Sequence, residues 1–344
     1  MMRRQTMKAG RVLSGWVLSG WVLAAWVGAA MVTPATAQPD PAANYPNKPI
    51  RFIVGFGAGG GNDLLGRIVG AKLSEIVGQP VIIENRTGAG GQLAIEYVQN
   101  QPKDGYTVAI GAIGQLAVAS AIYPNLPFHP TRTLMPVTVL GVYQLWLVTQ
   151  TNHDKIKTVA DLIAYAKANP DKANYPTSSP AFTIATELFK LKTGIPGTMI
   201  PYRSVNEMVL SMVSKQTLYG FPDSSNVVAQ AKAGQIRALA LANPTRLEDL
   251  PDVPTLKEAG YPDIDIKTQW IGAFLAAGTP APIAAKLETA LRKAVADEGV
   301  RKRIRAMGYF GADDTPSAAF RERIDSDIKL FKEIVKEAKL KFER

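Results

Sequence analysis

The sequence predicts an α/β protein built on largely parallel sheets. Short apolar segments alternate with amphipathic helical ones along most of the chain. Two of the early strand-like segments run directly into glycine-rich loops that open a helix. With 344 residues, 47% hydrophobic and 20% charged, the chain suffices for roughly two domains at about 100 to 200 residues each. That composition excludes disordered and collagen-like chains. The absence of cysteine excludes disulfides, thiolate metal sites, a cysteine nucleophile and a lipid-modified N-terminal cysteine.

Residues 1–37 read as a signal peptide cleaved near Ala37. Arg3, Arg4, Lys8 and Arg11 precede an uncharged stretch from Val12 to Ala37 that closes on Ala35-Thr36-Ala37. The stretch is long enough to span a bilayer, so an uncleaved anchor is the alternative, although Pro34 and the small-residue exit favour cleavage. Both readings export the remainder of the chain. Arg3-Arg4 matches a twin-arginine signal only loosely. The formal charge of +10 includes those four cations; without them 35 basic residues face 29 acidic ones. A net +6 is mild and predicts no nucleic-acid partner. The densest basic run, Arg301-Lys302-Arg303 with Arg305, falls where a helix begun near Pro282 is ending. Cations are favoured at a helix C-terminus, so a solvated helix end accounts for it.

After a leader at 38–48, Ile50 to Val54 forms a first strand, Gly55 to Gly61 a glycine loop, and Leu64, Leu65, Ile68, Val69, Leu73 and Ile76 the apolar face of a helix. Val81 to Glu84 is a second strand, followed by Gly88-Ala89-Gly90-Gly91 and a helix through Tyr97; Tyr106 to Ile110 is a third strand. A long apolar strand is expected from Val137 to Thr149. Thr158 then opens a helix with Asp161 in capping-box spacing. Further strands fall near Thr198 to Pro201, Thr217 to Phe221 and Arg237 to Leu241, with a second long strand-like stretch from Ile264 to Leu275. Helices from Pro282 to Met307 and Pro316 to Leu340 complete the chain. The two long stretches suit a chain that leaves one domain and returns to it.

The first glycine loop is the main chemical signal. Glycines let the backbone approach a ligand while the following helix offers free N–H groups and a positive dipole end, which suits an anion. Gly55-x-Gly57-x-x-Gly60 with Glu84 also matches the dinucleotide fingerprint, a weak signal in an exported chain, and no Gly-Lys-Ser/Thr follows to make a P-loop. The two histidines, His129 and His153, have no metal-ligand spacing and read as solvated loop residues. No nucleophile elbow or zinc-binding helix is present, so neither a catalytic residue, a metal nor a cofactor is expected. Asp63 either caps the helix it opens or orients a ligand. Arg203 either forks onto a carboxylate or makes an exposed ion pair. Thr177-Ser178-Ser179 supplies hydroxyls at another strand-to-helix turn, where ligands of doubly wound sheets sit.

These residues resemble the periplasmic solute receptors of tripartite tricarboxylate transporters, often called Bug proteins. The likeness spans residues 45 to 340. It is carried by Tyr45-Pro46-Asn47-Lys48-Pro49-Ile50, Phe56 through Asp63, Glu84-Asn85-Arg86, Asp104-Gly105-Tyr106-Thr107, Tyr123-Pro124-Asn125-Leu126-Pro127-Phe128, Pro201-Tyr202, Arg237-Ala238-Leu239-Ala240, Leu250-Pro251-Asp252-Val253-Pro254-Thr255, Glu258-Ala259-Gly260 and Ala277-Gly278-Thr279-Pro280. The resemblance implies a type II-like periplasmic binding protein: two doubly wound domains that close on a ligand cleft. Domain one would comprise 45–145 plus 268–344 and domain two 146–267, with hinges near Leu145 and Ile266. It implies a small carboxylate held largely by backbone groups, delivery to membrane subunits, and a monomer. The candidate ligand-binding residues are Phe56, Gly57, Ala58, Gly60, Asn62, Asp63, Ala112, Gln115, Ser178, Ser179, Thr183, Arg203 and Asp223. Hydroxyl positions usual in the family are replaced here by apolar side chains such as Ala112 and Ile113. A ligand with one or two carboxylates on an apolar or aromatic body is therefore expected, with Phe56 and Phe182 as walls or as core. A sensory receptor on the same fold, or an exported enzyme, are the competing readings.

Overall fold

A computed structural model describes residues 40–151, 155–248, 250–264, 266, 268–311 and 315–337. The expected signal peptide and His153 lie outside them. Strand β1 (Ile50–Val54) runs into helix α1 (Gly61–Val77), then β2 (Val81–Asn85), α2 (Gln92–Gln99) and β3 (Thr107–Ala112). A π-helical turn at Gly114–Val118 leads to the short α3 (Ala119–Ile122). Next come β4 (Leu134–Tyr143), β5 (Leu145–Gln150), α4 (Val159–Ala168), β6 (Tyr175–Thr177), α5 (Pro180–Thr193), β7 (Met199–Pro201) and α6 (Val205–Val213). β8 (Tyr219–Gly220), α7 (Ser224–Lys232), β9 (Ile236–Ala242), β10 (Gln269–Ala276), α8 (Ala281–Ala296), α9 (Glu298–Ala306), β11 (Phe310–Gly311) and α10 (Ser317–Glu337) follow.

The larger sheet has six strands in the order β11-β4-β10-β3-β1-β2; a second has three, β8-β5-β9, and a third pairs β6 with β7. The expectation of largely parallel sheets needs correction. Among the strands of the described residues, only β1 with β2, β1 with β3 and β6 with β7 run parallel. β10 lies antiparallel to β3 and β4, β11 to β4, and β5 to both β8 and β9. The reason is topological: the chain leaves the larger sheet along β4 and returns along β10 beside it, so its outgoing and incoming strands oppose one another.

The expected single strand from Val137 to Thr149 is two strands in two sheets, divided at Gln144. Tyr143 pairs with Gln269 on one side of the break and Leu145 with Ala242 on the other, while the Gln144 side-chain amide donates to Asn243 Oδ1 at 3.2 Å. On return, the strand begins at Gln269 rather than Ile264. The expected helix from Pro282 to Met307 is likewise broken at Asp297. Asp297 adopts extended backbone and its carboxylate accepts from Val300 N–H at 3.0 Å, capping a separate helix. The basic run therefore belongs to α9, with Arg303 and Arg305 in its last turn.

β1 illustrates how sequence makes the core. Ile50, Phe52, Ile53 and Val54 are all fully buried, as expected of a near-continuous apolar strand paired in parallel on both edges. α1 lays Leu65, Ile68, Val69 and Leu73 on the sheet and ends at Gly78, whose left-handed φ of 68° lets its N–H reach Ser74 O. On the return strand, Trp270 meets Phe320 edge-to-face at 5.0 Å, and its indole N–H donates to Asp327 Oδ2 at 2.7 Å. Gly272 makes room for that ring, because a Cβ there would stand 2.4 Å from it. A second core gathers Trp146, Val148, Val209, Met212, Val227, Ile236 and Leu241. The capping box at Thr158 and Asp161 forms as expected. Among the described residues no helix is long and apolar enough to cross a membrane.

Candidate ligand-binding site

The loop after β1 ends at Gly60, whose extended backbone starts α1 without any side-chain cap. The first-turn N–H groups and the positive end of the helix dipole are left facing the space above the loop. Asp63 holds that loop in shape. Its Oδ2 accepts from Gly59 N–H at 3.0 Å and Arg67 Nε at 2.9 Å, and its Oδ1 from Arg67 Nη2 at 2.9 Å and Asn85 Nδ2 at 3.0 Å. Asn85 also donates to Phe56 O at 2.9 Å. Burial pushes the Asp63 carboxyl up, but the hydrogen bonds from Arg67, Gly59 and Asn85 outweigh it and hold it below its ordinary value. With four donors engaging its carboxylate, Asp63 shapes the loop, and it is not among the residues that line the slot described below.

Gln115 is also structural. Its Oε1 accepts from Ala112 N–H at 2.8 Å and its Nε2 donates to Gly91 O at 2.9 Å, so the fully buried amide clasps two loops. Two glycines follow from this clasp: a Cβ would stand 2.2 Å from the Gln115 amide nitrogen at Gly55 and 2.3 Å at Gly91. The structure gives Gln115 a bracing role and does not place it in the lining of the slot described next.

Opposite the first loop, Ser179 opens α5 with extended backbone and no side-chain cap, and Pro180 follows at N1. The two halves touch at Gly114, where a Cβ would lie 2.9 Å from Ser179 Oγ and 3.0 Å from Ala181 N. Between the uncapped ends of α1 and α5 lies a slot. Its walls are Phe56, Gly60, Gly61, Asn62, Ala112 and Tyr143 on one side and Ser178, Ser179, Phe182, Val205 and Asp223 on the other. The volume open to the centre of a water molecule is only about 20 Å³, roughly one water's worth.

The slot contains an unmet polar group. Asn62 is 6% exposed, and its side-chain nitrogen has no hydrogen-bond partner, a state that natural structures seldom leave uncompensated. Asp223, buried in the far wall, caps α7: its Oδ1 accepts from Ser225 N–H at 2.8 Å and Ser225 Oγ at 2.5 Å. Burial pushes the Asp223 carboxyl above its ordinary value, with the bonds from Ser225 acting in the opposite sense. No lysine or arginine stands among the described residues that line the slot. Attraction for an anion comes from backbone N–H groups and two helix ends.

Eight of the sequence-predicted residues thus meet in the slot: Phe56, Gly60, Asn62, Ala112, Ser178, Ser179, Phe182 and Asp223. Gly57 packs against Ser204, 3.3 Å from where its Cβ would be, and Ala58 is exposed. Thr183 lines an adjoining chamber of about 480 Å³. The structure does not bring Arg203 to the slot: Ser204 caps α6 by accepting from Glu207 N–H, and Arg203, just outside the helix, is exposed, with its backbone N–H on Glu207 Oε2. Sequence reasoning missed Gly61, Tyr143 and Val205. Gly61 alone carried a signal, as the last member of a glycine triplet; a Cβ there would sit 1.8 Å from the Tyr309 hydroxyl and 3.3 Å from Asp223 Oδ2.

A chain that crosses between sheets and returns, with uncapped helix N-termini meeting at a closed slot, has the build of a periplasmic binding protein. The model of the tripartite tricarboxylate transporter family receptor matches residues 65–340, and the chain belongs to that family of solute-binding receptors, which are not enzymes. It is similar to protein BugT of Bordetella pertussis, 31% identical over 89% of this chain and 94% of that one. Among solved structures, MatC from Rhodopseudomonas palustris with bound malate is 27% identical, with TM-score 0.80 over 85% of this chain and 100% of that chain. Rpa4515 of R. palustris with adipate is 28% identical, with TM-score 0.81 over 86% and 98%. Receptors of this family work in the periplasm.

Proposed function

We propose that this receptor captures a small mono- or dicarboxylate with an apolar or aromatic body and delivers it to the membrane subunits of a tripartite transporter. The observation that carries the reading is the unpartnered, buried Asn62 amide at the uncapped end of α1, facing a second uncapped end at α5. A carboxylate oxygen satisfies such donors, and two helix N-termini stabilise its charge. Phe56 and Phe182 line the slot and give the carboxylate end an apolar surround, which suits an acid whose body is apolar. The malate and adipate held by two similar receptors support the carboxylate assignment.

Residues 1–37 serve as the export signal, cleaved near Ala37, and the mature receptor works as a monomer. Domain one comprises 45–145 with 268–344 and domain two 146–267. The break between β4 and β5 and the return into β10 supply the hinges, near Leu145 and Ile266.

A thermal-shift screen of residues 38–344 against aliphatic, hydroxylated, amino and aromatic carboxylates tests this, because stabilisation tracks ligand concentration over Kd. Concentration-dependent stabilisation by acids with apolar or aromatic bodies is expected. Tight binding of citrate, with no response to aromatic or longer aliphatic acids, would overturn the assignment of ligand body.

A further inference from the structure

The slot is too small for anything beyond a carboxylate group, yet it has a neighbour. The adjoining chamber of about 480 Å³ lies between the second glycine loop, at Gly90, and the segment from β6 to β7. Slot and chamber share Ser178 and Ser179 in their linings, which sets the chamber beside the start of α5.

The chamber's chemistry is specific. Tyr175, Tyr202 and Met199 offer aromatic and apolar surface, and the charged groups are Glu187 and Lys190. These two are committed to each other. Lys190 Nζ donates to Glu187 Oε1 at 2.8 Å and to Gly197 O at 3.0 Å, and it stands 5.0 Å from the centre of the Tyr175 ring. The Tyr175 hydroxyl donates to the same Glu187 oxygen. The chamber's lining charges therefore cancel, and the slot adds one acid, Asp223, with no lysine or arginine among its described lining residues. What remains to attract an anion is two helix N-termini at about half an elementary charge each. That suffices for one carboxylate. A second one would enter a partly enclosed space that holds Glu187 and has no uncommitted cation, at the cost of an unpaired charge.

We infer that the chamber seats the ligand's body and that the cargo is a monocarboxylate. Its carboxylate lies between the ends of α1 and α5, its aromatic or apolar body lies against Tyr175 and Tyr202, and a neutral hydrogen-bonding end meets the Glu187–Lys190 pair. This rests on the carboxylate reading above and narrows it, setting the chain apart from receptors that hold malate or adipate.

The test is calorimetric titration of residues 38–344 with two matched pairs, terephthalate with its monoamide and adipate with its monoamide. Members of a pair share length and shape and differ by one charge. In every pair that binds, the monoamide should bind about tenfold tighter than the dianion or better, a difference equivalent to roughly 1.4 kcal/mol. Glu187→Gln, which releases Lys190 from its partner, should tighten the dianion selectively and shrink that ratio. A wild-type dianion that binds as tightly as its monoamide overturns the inference. So does binding of malate by a protein that ignores all four probes, which leaves the carboxylate reading standing. A folded protein that binds no carboxylate of any kind removes both.

Discussion

Replacing Gln115 with leucine separates a bracing role from a ligand contact. The change keeps the volume of a fully buried side chain while deleting both of its hydrogen bonds, at 2.8 Å to Ala112 N–H and 2.9 Å to Gly91 O. Ala112 N–H is left without its acceptor and Gly91 O without this donor, at up to about 1–3 kcal/mol apiece, so the loss is up to about 2–6 kcal/mol. A chain of this size gains roughly 0.6 kcal/mol per kelvin in unfolding entropy, which turns that loss into a fall in Tm of about 3–10 °C. Thermal unfolding without ligand, followed by circular dichroism, reads it directly. Ligand affinity should also weaken, because Ala112 forms part of the slot wall. A Tm within about 1 °C of wild type, combined with abolished binding, would refute the bracing role and return Gln115 to the ligand-contact assignment.

Asn62→Ala should weaken carboxylate binding by about 10- to 150-fold, the worth of a hydrogen bond to a charged group, without lowering the Tm of the free protein, since the amide has no partner to lose; calorimetry and thermal unfolding check the two halves. Asp63→Asn should destabilise the protein at neutral pH and progressively less in acid. The folded pKa of Asp63 is depressed, so its contribution is present above the unfolded carboxyl pKa and lost as pH falls through the folded value; the gap in Tm between wild type and variant should close as pH falls through and below the ordinary carboxyl range. Arg203→Ala should leave ligand affinity within about twofold, because the side chain is exposed outside the slot; a tenfold loss by calorimetry would place it in the ligand's path.

Local signals carried much of the fold. β1 is read to the residue because four of its five positions are apolar and bounded by glycine and proline, and the capping box at Thr158 depends on two residues alone. What sequence did not reveal depends on distant partners. The break at Gln144 is marked only by one polar residue between two apolar runs, and it takes Gln269 and Ala242 pairing on either side to divide the strand. Asp297 interrupts a helix whose apolar spacing continues through it, so periodicity conceals the cap. Strand direction in the larger sheet follows from the return of the chain along β10, which no local pattern encodes.

For the site, the glycine loop, the serines before α5 and Asp223 were legible because backbone approach and helix starts leave residue signatures. Tyr143 and Val205 left none, as they become neighbours in the slot only when segments far apart in sequence fold together. Gln115 and Asp63 were found as polar residues of the loops, but their bracing hydrogen bonds were not. A buried amide or carboxylate looks the same in sequence whether it faces a ligand or, as here, is consumed by backbone and arginine donors.

The most direct measurement is calorimetric titration of residues 38–344 against the acid panel, with the bound molecule recovered and weighed by mass spectrometry. One carboxylate per chain, recovered chemically unchanged and weakened by Asn62→Ala, is the expected result for a receptor that closes on its cargo at the ends of α1 and α5. A carboxylate that binds wild type and Asn62→Ala equally well, or that is recovered as a different compound, would contradict it.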